Sequence, residues 1–397
     1  MPAVIRVSAW IKVFPVLLLA LVLAGCGDKP QPLLMTSGDN YPENLSQWNV
    51  LQISRKKITL PESVIPYDLN TPLFTDYASK LRTLWMPEGK KARVVDGEIQ
   101  YPVGTIISKT FYYPVSGSNR TVLLASEGDQ SLFNPKEGLP LEQARLIETR
   151  LLVHQEEGWI ALPYVWNEQQ TDAVLEWAGD SKQLSVTGIN DSKEETPFTY
   201  ITPDANQCAG CHAEDDNRQV VKPLGPKIRH LNRNFTYASG EDNQLAYLIR
   251  NNLLDGLENL TGAPQNALWP NGRPGETLAN RARSYLDANC SHCHNQQGAA
   301  RTSGLFLTMD TPLDARLGFC KRPIAAGKGA GNRPVDILPG HADQSILTYR
   351  MATLEPGEMM PELGRSLSHG KGVDLVSEWI NQMDPDAFPC VGGGYGS

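Results

Sequence analysis

The sequence predicts an α+β multidomain chain, with an N-terminal antiparallel β-sandwich-like domain followed by a mainly α region. Three observations carry this expectation. Between about residues 46 and 203, short runs rich in β-branched and aromatic residues recur between Pro and Gly. From about residue 204 helical periodicity takes over. That second region also holds the pentapeptide C-x-x-C-H twice, at Cys208-Ala209-Gly210-Cys211-His212 and Cys290-Ser291-His292-Cys293-His294.

Taken in order, the chain opens with a processing segment. Arg6 and Lys12 supply a positive n-region, Val13 to Val22 is apolar apart from Pro15, and Leu23-Ala24-Gly25-Cys26 follows. The run is too short for a mature span. It resembles a bacterial lipobox, which implies a signal peptide over 1–25, cleavage before Cys26 and lipidation of that thiol. Gly27 rather than Asp follows, so the resemblance favours the outer membrane, facing the periplasm. An uncleaved anchor or an ordinary secretory signal is the alternative. Residues 26–45 are polar and Pro-containing and read as a flexible tether.

The β-rich domain is expected over 46–203. Gly104 to Tyr113 shows partial alternation, and Arg120 to Ala125 is a second run. Arg145 to His154 and Trp159 to Trp166 flank Gln155-Glu156-Glu157-Gly158, a hairpin signal. Asp172 to Trp177 and Gln183 to Gly188 continue the pattern. Beyond it, amphipathic helices are expected over Asp242 to Leu254, Glu276 to Leu286 and Val373 to Met383. The division is then 204–275 for a first haem unit and 276–397 for a second.

The haem assignment rests on chemistry. Two thiols one helical turn apart can add across the two vinyl groups of one porphyrin, and the next His can ligate its iron. Two covalently bound haem c groups are therefore expected, attached through Cys208, Cys211, Cys290 and Cys293, with His212 and His294 as proximal ligands. Two zinc half-sites or two redox CxxC pairs are the rival reading. Of seven cysteines, Cys320 and Cys390 remain; in an exported chain they are expected to form a disulfide, with two free buried thiols as the alternative.

Distal ligands are less uniform. Met360 directly precedes Pro361, as the sixth ligand does in class I cytochromes c, and is assigned to the second iron; Met359 is its rival. For the first iron no Met lies between His212 and Cys290. His230 is the candidate there, against an open iron or a ligand from elsewhere such as His154. Pro226 lies in a Gly-Pro turn resembling that of cytochromes c, which implies that its carbonyl accepts the His212 N–H. His292, His341 and His369 read as surface residues.

Several stretches together, Tyr67 to Phe74, Tyr101 to Thr105, Asn289 to His294 and Met359 to Gly364, resemble a poorly characterised family of bacterial dihaem c-type cytochrome lipoproteins. The resemblance covers nearly the whole mature chain. It implies cytochrome c-like haem domains and electron transfer with a redox partner protein, with the membrane reached through a lipid anchor. Net charge is -8 and falls to -10 once Arg6 and Lys12 leave with the leader, which argues against nucleic acid as a partner. An electron carrier is the leading expectation. A dihaem peroxidase-like enzyme using an open first haem is the alternative, and a ligand-binding module that uses the haems as reporters is a third.

Overall fold

A computed structural model describes residues 31–116, 122–128, 132–212, 221–324 and 326–390. The signal segment and Cys26 lie outside them. The dominant element is a nine-stranded sheet, built from β1 (Ile65–Tyr67), β2 (Ser79–Trp85), β3 (Ile106–Ser116), β4 (Val122–Leu124), β5 (Ala144–Gln155), β6 (Gly158–Trp166), β7 (Ala173–Leu175), β8 (Asp180–Thr187) and β9 (Thr196–Thr202). Its main path runs β7-β6-β5-β3-β4-β8-β9, with β2 also on β3 and β1 on β2.

Local chemistry explains the centre of this sheet. The β5–β6 hairpin closes with Gln155 opposite Gly158, and Gly158 takes a φ of 122° that side chains resist. The long β3 pairs with β5 along one edge, while its other edge is shared by β2 and then β4. A register shift between Leu146 and Glu148 adds local twist. The sheet therefore curls into a half-barrel. Leu81, Tyr112, Leu151 and Trp166 form one core cluster, and Phe111, Tyr113 and Ile147 belong to another. Because alternate residues of one strand enter different clusters, both faces are covered.

Helices follow the sheet: α1 (Ala205–His212), α2 (Ile228–Leu231), α3 (Gln244–Arg250), α4 (Leu278–Asn289), α5 (Ile346–Ala352) and α6 (Gly370–Asn381). Thr277 caps α4 by accepting the Asn280 N–H at 3.1 Å. In α6, Gly372, Leu375, Val376, Trp379 and Ile380 are buried, the spacing of one helical face. This face packs on Tyr285 and Leu286 of α4, with Leu317, Phe319 and Ile337 completing the cluster.

The expected fold class is corrected here. The fold is mostly β, with 28% strand against 20% helix, and among the described residues no helical region of the cytochrome type is evident. Most strands belong to the one curled sheet, and the others form two small three-stranded sheets and one two-stranded hairpin. The reason lies in the stretches between helices. Residues 293–345 hold 3-10 turns at Arg301–Ser303, Ala315–Leu317, Gly327–Ala330 and Ala342–Gln344 instead of α-helix, and Gly304, Gly318 and Gly331 adopt positive φ there. Asp242 to Leu254 is helical only over α3, its start being taken by a hairpin of Asn234–Tyr237 with Gly240–Asn243. Among the described residues, no helix is long and apolar enough to cross a membrane.

Candidate functional site

The first motif rides on α1, which begins directly after β9. Asp204 and Gln207 cap it reciprocally: Gln207 N–H donates to Asp204 Oδ1 at 2.7 Å, and Asp204 N–H to Gln207 Oε1 at 3.1 Å. Beneath it lies a buried ion pair. Glu148, fully buried, accepts from Arg150 at 2.6 Å and from Tyr200 Oη at 2.6 Å, and the Arg150 guanidinium stands 4.6 Å over the Phe111 ring. Burial pushes the Cys208 thiol up, and nearby Arg150 partly opposes this.

The second motif continues from the end of α4. His294 N–H donates to Cys290 O at 2.9 Å, so the motif stays a helical turn. Asn289 ties it to the first quarter of the chain: its Oδ1 accepts the Phe74 N–H at 2.7 Å, and its Nδ2 donates to Pro72 O at 3.3 Å.

Both motif-ending histidines are set in the same way. His212 Nδ1 lies 2.7 Å from Lys222 O, and His294 Nδ1 lies 3.3 Å from Leu305 O. A carbonyl only accepts, so each Nδ1 carries the proton. Burial lowers both imidazoles to about 4, which keeps them neutral and leaves each Nε2 with a free lone pair. The Lys222 carbonyl corrects the expectation for Pro226, whose own carbonyl takes the Tyr101 hydroxyl at 3.4 Å.

The two motifs meet. Ligand atoms of Cys211, His292 and Cys293 all lie within 4.8 Å of one another, although Cys211 and Cys293 are far apart in sequence. The Cys293 thiol and His292 hold Cys211 toward its thiolate, and Cys293 is pushed up in return. His292 therefore faces Cys211 rather than open solvent. The four motif thiols are free, while Cys320 and Cys390 are joined in a disulfide.

Two hollows lie near the motifs. The one beside the second motif is small and is lined by Cys290, Met360, Phe74, Tyr285 and His369. The other, an open cleft beside the start of α1, is lined by Gln207, Met359, Ile201, Leu354 and Leu363 together with the charged Asp76, Glu362 and Arg365. The methionine loop is pinned: Met360 N–H donates to Arg350 O at 2.8 Å, Arg350 Nε to Glu358 O at 2.8 Å, and Arg365 to the carbonyls of Arg350 and Thr353.

The remaining expected residues are placed as follows. His230 is not open to a distal iron position: it is buried, its Nε2 lies 3.2 Å from Asp287 Oδ2, and so it fastens α2 to α4. His154 stacks on Trp159 at 4.5 Å, consistent with a strand residue. His341 is exposed. His369 is buried, stacks on Phe74 at 4.2 Å, and bridges Tyr285 Oη and Glu127 Oε2 at 3.0 Å each. This Tyr285–His369–Glu127 chain was missed in the sequence because its members are far apart along the chain. The only local hint is His369 standing immediately before the apolar face of α6.

The donor set fits two haem c groups. Each motif offers two free thiols and one neutral imidazole with its outer nitrogen available, and at the second motif Cys290 shares a cavity wall with the thioether of Met360. Comparison with protein-family models, curated proteins and solved structures finds no match.

Proposed function

We propose that the chain is a dihaem electron carrier of the cell envelope, lipid-anchored at Cys26 and exchanging electrons with a redox partner protein. When bound, haem c supplies reversible one-electron transfer. The chain's own groups do the rest. Cys208 with Cys211, and Cys290 with Cys293, would form the thioethers. His212 and His294 would ligate through Nε2, with ring orientation set by the Lys222 and Leu305 carbonyls. Met360 would complete the second iron's shell, and Phe74 and Tyr285 would exclude water beside it. The observation that carries the reading is this matched setting of two motif histidines at adjoining motifs. The likeness of four stretches to dihaem c-type cytochrome lipoproteins supports it.

One observation favours a second reading. Two thiols and an imidazole within 4.8 Å would also hold a single ion such as zinc. The deciding experiment is expression alongside a c-type haem-attachment system, with haem counted by pyridine haemochrome and intact mass, and metals counted by mass spectrometry. Two haems on the wild type, and one on Cys208→Ala/Cys211→Ala, are expected. A haem-free chain carrying stoichiometric zinc would reverse the assignment.

A further inference from the structure

We infer that the haem-free chain holds one divalent ion of the zinc class across its two motifs, with Cys211, His292 and Cys293 as ligands. The sequence pairs thiols within a motif, Cys208 with Cys211 and Cys290 with Cys293. The fold pairs them between motifs. Sγ of Cys211, a ring nitrogen of His292 and Sγ of Cys293 lie within 4.8 Å of one another, and among the described residues no other trio of Cys, His, Asp or Glu is so gathered. Ion–ligand bonds of about 2.0–2.3 Å set tetrahedral ligand atoms about 3.5–4 Å apart, so small side-chain turns would close the trio on an ion.

The other motif residues are engaged elsewhere. Cys208 is 8% exposed and lies toward the Arg150–Glu148 pair. Cys290 lines the small cavity with Phe74 and Met360 and packs against the α4–α6 core. His212 and His294 are held through Nδ1 by the Lys222 and Leu305 carbonyls. The first thiol of each motif thus sits in its own interior, whereas the second thiols meet.

Cys211, His292 and Cys293 are each partly exposed. An ion can therefore enter from solvent, and water can take the fourth position that three protein ligands leave. Two thiols and an imidazole suit zinc or cobalt(II); magnesium and calcium take oxygen. Binding displaces the thiol protons to solvent and clips α1 to the end of α4. Such an ion is an earlier occupant of the motifs and not a substitute for haem. Haem attachment adds each of these thiols, sulfur and hydrogen, across a vinyl double bond, so the ion leaves and the two states exclude each other. That exclusion rests on the dihaem reading above; the ion site itself does not.

The test uses the full chain made without a haem-attachment system, stripped by a chelator and titrated anaerobically with cobalt(II). One ion per chain is expected, with thiolate-to-cobalt charge-transfer absorption and tetrahedral d–d bands. Cys211→Ser, Cys293→Ser and His292→Ala should each weaken binding at least about 10-fold, whereas Cys208→Ser and Cys290→Ser should bind as the wild type does. Two ions per chain, no charge-transfer band, or lost binding in a well-folded Cys208→Ser or Cys290→Ser overturns the site. Far-ultraviolet circular dichroism of each metal-free variant is read first. Where Cys208→Ser or Cys290→Ser departs from the wild-type spectrum, X-ray absorption at the cobalt edge of the wild type decides: two sulfurs and one imidazole support the site, and four sulfurs remove it. The protein loaded with two haems should carry no stoichiometric ion, and an ion that stays beside both haems overturns the exclusion. Cobalt bound as expected in a chain to which no haem can be attached supports the site and fails only the dihaem reading.

Discussion

Asp76 offers the sharpest check on how the sheet holds the methionine loop. It is 2% exposed, and its carboxyl accepts the N–H groups of Leu367 at 2.7 Å and Ser366 at 2.8 Å, immediately beyond Arg365. Burial pushes its pKa up to about 6 from 3.8, while those two amides and the nearby Arg365 and Lys80 pull it down. An acid whose pKa is raised on folding binds more protons in the folded state. Its contribution is therefore greatest below the unfolded pKa and is lost as pH rises through about 6. The size of the shift corresponds to about 3 kcal/mol. Asp76→Asn keeps one acceptor oxygen and the tolerance for the positive φ of 43°, but it cannot titrate. The measurement is a series of urea melts between about pH 4 and pH 7 for both proteins, with the variant's stability subtracted from the wild type's at each pH. The difference should fall by up to about 3 kcal/mol across that window, with its midpoint between the two pKa values. A flat difference would mean that burial is relieved by solvent. A rising one would mean that the amide hydrogen bonds outweigh desolvation, and the reasoning would be refuted.

Two further outcomes follow from the same packing. Gly372→Ala normally stabilises a helix interior by about 1 kcal/mol, but a Cβ there would run into the Tyr285 ring. Crowding should reverse the sign, to a net loss of about 1–3 kcal/mol in chemical denaturation; a gain would show that α4 and α6 are not in contact there. Cys320→Ser/Cys390→Ser opens a link across 70 residues, which should lower stability by about 4 kcal/mol by the loop-entropy estimate. An unchanged melt under non-reducing conditions would count against the link.

The sequence made the sheet's middle legible and hid its shape. The Ala144–Gln155 and Gly158–Trp166 hairpin was readable because β-branched runs flank a short loop ending in Gly. Alternation in Ile106–Ser116 is only partial because Phe111 and Tyr112 enter different cores, so burial on both faces erases the period that marks a two-layer sandwich. The helices at Leu278–Asn289 and Gly370–Asn381 were readable from their apolar spacing. They also misled, since two periodic helices and two helical motifs suggested an α region where turns fill most of the intervening chain. At the site, motif residues were visible because their spacing is local. The roles of His230, His369 and Lys222 were not, because each depends on a partner brought in by folding: Asp287, Glu127 with Tyr285, and the His212 ring.

The contacts from Phe74, Asp76 and Tyr77 to residues 366–370 and to Asn289 have a consequence for how such a chain can be taken apart. Tyr77 Oη donates to Ser368 O at 2.9 Å, and Leu367 sits in the same core as Tyr113 and Phe198. The sheet and the C-terminal third therefore complete one another's interiors. Cutting the chain near residue 203 would leave an apolar wound on each piece instead of two usable modules. Recombination could exchange this half-barrel between proteins only together with the distant loop that it braces.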